Sequence, residues 1–361
     1  MNQMMKAVVL HGPGEYAVEK VRIPEPGYGE VLVEIRSISI CGSDPGIFAG
    51  AVRKDGWPPA YPFVAGHEFA GRVVRLGERV DTLKVGDRVA GEAHCGCGTC
   101  EMCKRGLYNL CLNYGRAGHH HYGHAAAGCY AQYQVYDQKA LTVMPDNVSY
   151  DEGSMVDTAG VAYNGIQLTG IVPGGWTAVI GPGPMGIMLA QMAQAMGSRT
   201  IVIGYKDRER LAVAKASGAD YVIETAETPD VVAAVWEISG GRGADRSFDC
   251  AGAGDTLDKA IRMTGMNGRV GVIAYPKQPT TQEALYYMVK HQITVQGVRA
   301  NPNCSKTVLD LMGCGKMAAR SLVTHSFPIE EIREAFDTFV NHKDGAVKVV
   351  IHPNGKEEQP L

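Results

Sequence analysis

Long hydrophobic runs are missing from this 361-residue chain. No run of about 18 apolar residues occurs, so no membrane-spanning helix is expected. The opening Met1-Asn-Gln-Met-Met-Lys6 carries no hydrophobic signal region and leads into strand-like Ala7-Val-Val-Leu10. A reducing, cytoplasmic setting is the simplest expectation. Charge of either sign is not in excess. With 35 Lys and Arg against 38 Asp and Glu, the net charge of −3 gives no electrostatic case for nucleic acid or an anionic membrane as partner. Low-complexity tracts and internal repeats are absent. Aromatic residues are few, at 7%. What remains, 45% apolar and 20% charged, is the composition of a globular protein long enough for two domains with separate cores.

Thiols are sparse except in one stretch. Of the ten cysteines, Cys97, Cys100, Cys103 and Cys111 follow one another at steps of three, three and eight residues in a glycine-bearing, loop-like segment. Four thiolates on a short loop can close around a tetrahedral Zn²⁺ and leave no open position, which describes a structural zinc site. A disulfide-rich patch is the competing reading. The length of the chain, its missing secretory signal and its thin thiol usage elsewhere weigh against it. Cys95, Cys129, Cys250, Cys304 and Cys314 read as structural thiols, with Cys95 close enough to the lobe to compete for the metal.

The chain changes character near residue 157. Before it, short strands alternate with turns. Val31, Val33 and Ile35 interleave with Leu32, Glu34 and Arg36, and residues 71–77 and 85–90 carry a similar signal, so an all-β barrel or sandwich is expected over 1–155. After it, strands at 176–181, 200–203, 221–223, 247–249, 269–273 and 293–296 are mostly separated by helical stretches such as 229–238 and 255–263. That alternation indicates a doubly wound parallel sheet over 156–300. From 301 a helix at 328–341 and a last strand at 347–351 are expected, then a polar, frayed tail from Pro353.

Gly181-Pro-Gly183-Pro184-Met185-Gly186 matches G-x-G-x-x-G directly after a strand and at the start of a helix, the context a dinucleotide-binding turn requires. Gly181 permits the tight turn, Gly183 lets the backbone approach a pyrophosphate, and Gly186 lets helix and strand pack closely. An NAD site places an acid at the end of the second strand. Here that position falls on Tyr205, followed by Lys206, Asp207 and Arg208. Lys206 and Arg208 suit a 2′-phosphate, so NADP(H) is favoured. NAD(H) stays open, because Asp207 lies two residues late and could reach the ribose from a shifted loop.

Cys41 in Cys41-Gly-Ser-Asp44, His67 in Gly66-His-Glu68 and Asp157 at the domain junction are potential ligands that spacing alone does not join. At this point the chain resembles the zinc-dependent medium-chain alcohol and polyol dehydrogenases. The resemblance rests on Cys41-Gly-Ser-Asp44, Gly66-His-Glu68, the four-cysteine lobe and the G-x-G-x-x-G turn, in the family's order and over nearly the whole length. It implies a GroES-like β-barrel catalytic domain at 1–155, a Rossmann domain at 156–300 and a return to the catalytic domain at 301–361. It further implies two zinc ions per subunit, one structural and one catalytic. Cys41, His67 and Asp157 would be catalytic ligands, and Glu68 a supporting group or exchanging fourth ligand. Asp44 would orient the His67 imidazole. Ser43 would carry the substrate proton. Lys348 resembles a family lysine to which no chemistry is assigned. A homodimer or homotetramer is also implied.

The implied reaction is hydride transfer between a zinc-bound alcohol or its ketone or aldehyde and the nicotinamide. One family feature departs: Pro45-Gly46 stands where many members carry a proton-relay histidine. Members without that relay include some that reduce imines or activated alkenes, which is the alternative activity. Gly118-His119-His120-His121-Tyr122-Gly123-His124 offers substrate hydrogen bonding, proton exit, a metal site or simply a solvated loop. Arg299, grouped with the coenzyme-site residues, matches an arginine that meets substrate in polyol members. Phe48, Trp57 and Tyr163 are candidates for lining the cleft. Many polar candidates and few aromatics favour a polyol or sugar-like alcohol.

Overall fold

The computed structural model describes residues 3–52, 56–116 and 118–356. Met1 and Asn2 of the opening segment and residues 357–361 of the polar tail lie outside the described residues. The chain divides into two units. The first comprises 1–158, 301–313 and 323–361, and the second 159–300 with 314–322. The first boundary falls inside the helix Val156–Thr169. The short return of 314–322 to the second unit is anchored where the Ala318 N–H donates to the Gln191 side chain at 2.8 Å.

The first unit is built on a seven-stranded, largely antiparallel sheet around the strand Glu30–Ser39. This strand pairs with Phe69–Leu76, with Tyr133–Asp137 and, at its far end, with Lys348–His352. Its central position explains why Leu32, expected to alternate outward, is buried beside Val31 and Val33. Glu34 and Arg36 keep their charges by pairing with each other at 3.0 Å. A hairpin of Met4–Gly12 and Glu15–Arg22 lies apart, joined to the rest through bridges at Ala7–Ala131 and Leu10–Phe63. The core mixes aliphatic and aromatic side chains, with Phe69 stacked on Tyr136 at 4.2 Å. Helices here are short. Tyr150–Ser154 is started by a capping box in which Ser149 and Glu152 satisfy each other's backbone N–H groups.

The second unit is a six-stranded parallel sheet. In spatial order its strands are Tyr221–Glu224, Arg199–Gly204, Trp176–Ile180, Ala244–Asp249, Thr264–Val272 and Thr294–Gly297. Numbered along the unit, that order is 3-2-1-4-5-6, the doubly wound arrangement of dinucleotide-binding folds. Every residue of Trp176–Ile180 is buried, as a central parallel strand demands. The order reverses between this strand and Ala244–Asp249, which places a crevice at their carboxyl ends.

After residue 300, the helix Ser305–Gly313 and the strand Val323–Pro328 have no counterpart in the sequence-based expectation. The strand has an alternating burial pattern but ends in Pro328, a turn signal that masks it. The helix expected at 328–341 is shorter, Ile332–Val340. Among the described residues no helix is long and apolar enough to cross a membrane.

Candidate functional site

The cysteine lobe assembles as its spacing requires. The ligand atoms of Cys97, Cys100, Cys103 and Cys111 lie within 4.8 Å of one another. The Cys97–Cys103 and Cys100–Cys111 sulfurs are each 3.9 Å apart. A tetrahedron of Zn–S bonds of about 2.3 Å has edges of about 3.8 Å, so the four thiols fit the ion. A disulfide needs a separation of about 2.05 Å, and all ten cysteines are free. The Thr99 hydroxyl, the Cys100 N–H and the Asn113 amide all approach Cys97 Sγ at 3.3–3.4 Å. Such contacts favour the thiolate and hold the Cys97 thiol down at about 5.

A second cluster forms where two strand ends meet. Cys41 lies two residues beyond the end of Glu30–Ser39, and His67 and Glu68 directly precede Phe69–Leu76. One ligand atom each of Cys41, His67 and Glu68 lies within 4.8 Å of the others. Asp44 accepts the Cys41 N–H at 2.9 Å and the Tyr130 hydroxyl at 2.7 Å through Oδ2, while Oδ1 faces His67 Nδ1 at 3.5 Å. His67 also makes a side-chain hydrogen bond with Cys41. Burial pushes the His67 imidazole down, but the Cys41, Asp44 and Asp157 charges outweigh it and raise it well above its usual value. A thiol, an imidazole and carboxylates gathered in a buried, electronegative site are a donor set suited to Zn²⁺.

Asp157 is not in that tight group. It is buried at the start of Val156–Thr169, and its Oδ1 accepts the Ala93 N–H at 3.0 Å. The carboxylate that does join the group is Glu68. Its Oε2 accepts the Ser39 hydroxyl at 2.6 Å and the Lys348 ammonium, and its Oε1 accepts the Thr158 hydroxyl. Lys348 also donates to the Ile40 carbonyl at 3.0 Å. Burial pushes Glu68 up, yet the Lys348 and His67 charges hold its carboxyl at about 2. Ser43 sits exposed at the start of the short helix Asp44–Phe48, and its side chain makes no capping hydrogen bond. Phe48 does not line a cleft. It is core, edge-on to Tyr16 at 4.8 Å and to Phe336 at 4.6 Å.

The histidine segment is not a solvated loop. His119, His121 and His124 are buried, and His121 pairs in a two-stranded sheet with His94. His94 stacks on His121 at 4.0 Å, His121 on His124 at 3.9 Å, and His124 meets His67 at 4.6 Å. Trp57 closes the side of this column, edge-on to His121 and His124, and its indole N–H donates to the Tyr114 hydroxyl at 2.8 Å. That hydroxyl lies 2.5 Å from His121 Nδ1. Imidazole N–H bonds lie in the ring plane, so face-to-face rings form a packed wall and pass no proton across their faces. Burial, reinforced by the His67 and His94 charges, pushes His124 well below its usual value.

In the second unit the glycine turn has the shape a pyrophosphate needs. Gly181 has φ +110°, and a Cβ there would press on the Cys250–Ala251 backbone at 3.2–3.3 Å. A Cβ on Gly186 would lie 2.0 Å from the Gly181 carbonyl, whereas nothing lies within 4 Å of one on Gly183. The helix Pro184–Ala195 starts there, with Gly183 as its N-cap and Pro184 and Met185 in its first turn, so its free N–H groups and dipole face that open space. Arg199–Gly204 ends immediately before Tyr205, which is 67% exposed. The Lys206 ammonium lies 5.3 Å over the Tyr205 ring, and Arg208 pairs with Glu227. Arg299 is exposed beyond the strand Thr294–Gly297, its carbonyl accepting from the Asn164 amide at 3.3 Å.

Three acids or bases that matter here were not assigned a role from sequence. Glu224, at the end of Tyr221–Glu224, accepts the N–H groups of Lys206 at 2.8 Å, Asp207 at 2.9 Å and Ala226 at 3.0 Å, and so shapes the loop after the second strand. Lys348 holds Glu68. Glu92 is an acid buried beside an apolar strand, and that mismatch was its only signal in the sequence.

Residues 27–146 match the alcohol dehydrogenase GroES-like domain family, and residues 184–313 match the zinc-binding dehydrogenase family. The sorbitol dehydrogenase of Bacillus subtilis (strain 168) is 30% identical over 352 residues, covering 98% of each chain. An Escherichia coli CFT073 alcohol dehydrogenase complexed with NADH superposes with a TM-score of 0.86 at 26% identity, over 97% of this chain and 99% of that one. A putative zinc-binding dehydrogenase from Sinorhizobium meliloti 1021 bound to NADP gives a TM-score of 0.86 at 27% identity, over 97% and 100%.

Proposed function

We propose a substrate class, a coenzyme and a set of working residues for this chain, which belongs to the zinc-dependent medium-chain alcohol and polyol dehydrogenases. As an enzyme of that family it interconverts an alcohol and its carbonyl compound with a nicotinamide coenzyme. The substrate we infer is a polyol or sugar-like alcohol. Support comes from the sorbitol dehydrogenase relative and from the polar wall of Trp57, His121 and His124 beside His67. The observation that carries the reading is the buried group of Cys41, His67 and Glu68, with Ser43 exposed next to it.

When bound, zinc supplies Lewis acidity to a substrate oxygen and the nicotinamide exchanges hydride. Cys41 and His67 would hold the metal, with Glu68 in the tight group and Asp157 adding negative charge from further away. Asp44 fixes the His67 tautomer by presenting a carboxylate to Nδ1. Ser43 Oγ takes the substrate proton in oxidation and returns it in reduction. Pro45 and Gly46 offer no relay, so that proton leaves Ser43 for solvent. Cys97, Cys100, Cys103 and Cys111 would hold a second, structural zinc. Gly181, Gly183, Pro184, Met185 and Gly186 would cradle the pyrophosphate.

NADP is the favoured coenzyme. No carboxylate stands at Tyr205, and Glu224 spends its oxygens on backbone N–H groups. Asp207 has Arg210 at 3.8 Å. Lys206, and Arg208 by exchanging its exposed partner Glu227, would meet a 2′-phosphate. A cytoplasmic homodimer or homotetramer completes the reading, and light scattering checks the assembly. Steady-state turnover on a panel of polyols, simple alcohols and aldehydes with NADP⁺ and NAD⁺ tests it. Polyols with NADP⁺ should give the highest kcat/KM, and turnover confined to simple alcohols would overturn the substrate class.

A further inference from the structure

Glu92 occupies a position that neither metal site explains. It lies just beyond the strand Arg88–Gly91 and is 6% exposed. Its Oε2 accepts the Tyr108 hydroxyl at 2.5 Å, and its Oε1 accepts the Ser305 hydroxyl. Tyr108 belongs to the cysteine lobe, between Cys103 and Cys111. Its oxygen also accepts the Asn303 N–H at 2.7 Å, while the Asn303 side chain donates to the Gly106 carbonyl at 2.9 Å. The lobe is therefore fastened to the body of its unit through one buried carboxyl and the segment leading into Ser305–Gly313.

The next residue along the chain carries the connection onward. The Ala93 N–H donates to Asp157 Oδ1 at 3.0 Å, and His94 beyond it begins the stacked column that ends on His67. The Glu92 N–H is fixed in turn by the Ala140 carbonyl at 2.9 Å. A shift of the Glu92 backbone moves the Ala93 N–H with it, because the Glu92 Cα and carbonyl share a planar peptide unit with that N–H. Burying a carboxyl is costly unless its hydrogen bonds are made. Loss of the Tyr108 or Ser305 bond therefore forces this segment to rearrange.

We propose that Glu92 is a positioning residue that couples the four-cysteine lobe to Asp157 and the Cys41–His67 centre. The inference rests on the zinc-site reading above. The Tyr108 hydroxyl delivers the order of the lobe to Glu92, and the Ala93 N–H delivers it to Asp157. Disturbing the link then loosens metal at the open centre while the four thiolates keep theirs.

Release of zinc to a chromogenic chelator from the full-length, zinc-loaded protein separates the two sites, since an open site exchanges faster than a closed one. Tyr108→Phe and Glu92→Ala should speed the fast phase at least tenfold and leave the slow phase within twofold. Glu92→Gln, which keeps shape and hydrogen-bonding capacity, should restore most of the parent rate. In the same variants kcat should fall while the coenzyme KM holds. If Glu92→Ala fails to fold, Tyr108→Phe decides alone. A fast phase within twofold of the parent, or acceleration confined to the slow phase, overturns the coupling. The release measurement needs no substrate, so inactivity of the parent on every alcohol would sink the proposed function and leave this test standing.

Discussion

Lys348 donates its ammonium to Glu68 across 280 residues of chain, and both side chains are almost fully buried, at 2% and 1% exposure. The pair closes the last strand of the first unit, Lys348–His352, against the segment that carries His67. A buried ion pair is weak evidence of net stability, because desolvation offsets most of its attraction. Removing one partner is different, since it strands a buried charge at a cost of about 3–5 kcal/mol.

Lys348→Met should therefore lower unfolding free energy at pH 7 by about 3 kcal/mol or more. Urea unfolding with zinc present measures it. The double variant Lys348→Met with Glu68→Gln should recover part of the loss. A single variant within about 1 kcal/mol of the parent would mean that Glu68 is neutralised by something other than Lys348.

Two zinc ions per subunit are expected after desalting, one from each ligand group, and elemental analysis counts them. Cys97→Ser should chiefly lower soluble yield and thermal stability, because a closed zinc site contributes folding free energy. Glu68→Gln and Asp157→Asn separate the two candidate carboxylates. Loss of one zinc equivalent from the first alone would assign the third ligand to Glu68, and from the second alone to Asp157.

Ser43→Ala should cut kcat by about 10²–10⁴-fold while coenzyme affinity is unchanged, as befits a first proton acceptor. A kcat within twofold of the parent would remove Ser43 from the proton path.

kcat/KM for NADP⁺ should exceed that for NAD⁺ by about tenfold or more. A charge-assisted hydrogen bond to phosphate is worth about 1.5–3 kcal/mol, against about 0.2–1 kcal/mol for the exposed Arg208–Glu227 pair it displaces. Lys206→Ala with Arg208→Ala should abolish the preference, and Tyr205→Asp should move it toward NAD⁺. A tenfold preference of the parent for NAD⁺ would show that Asp207 serves the ribose.

Glu92 supplies a pH test with a definite sign. Burial, partly offset by the Ser305 and Tyr108 hydrogen bonds, pushes its carboxyl from 4.5 up to about 7. Between those values the folded chain keeps a proton that the unfolded chain has released. Stability should then fall as pH rises from about 4.5 to about 7, and level off above, by an amount on the order of 3 kcal/mol. Glu92→Gln should flatten that slope in urea unfolding across the same window. An unchanged slope would mean that Glu92 stays ionised throughout.

Local chemistry made much of this protein legible in its sequence. The four lobe cysteines lie within fifteen consecutive residues, so their spacing alone defines a closed ligand set. The glycine turn is read from six residues, and the demands on Gly181 and Gly186 arise from contacts of that turn and the strand beside it. Alternating strands and helices likewise announced a doubly wound sheet. The Cys41–His67–Glu68 cluster is another matter. Cys41, His67 and Glu68 meet because antiparallel pairing brings the end of Glu30–Ser39 beside the start of Phe69–Leu76, and Lys348 reaches Glu68 from the last strand. Sequence spacing carries no information on that pairing: the family resemblance implies Asp157 as third ligand with Glu68 in support, whereas the fold turns Asp157 toward Ala93 and brings Glu68 beside the thiol and imidazole. Burial decided the rest. A run of histidines reads as polar and solvated, but pairing of His120–His121 with His94–Cys95 carries His121 inside, where stacking on its neighbours replaces water.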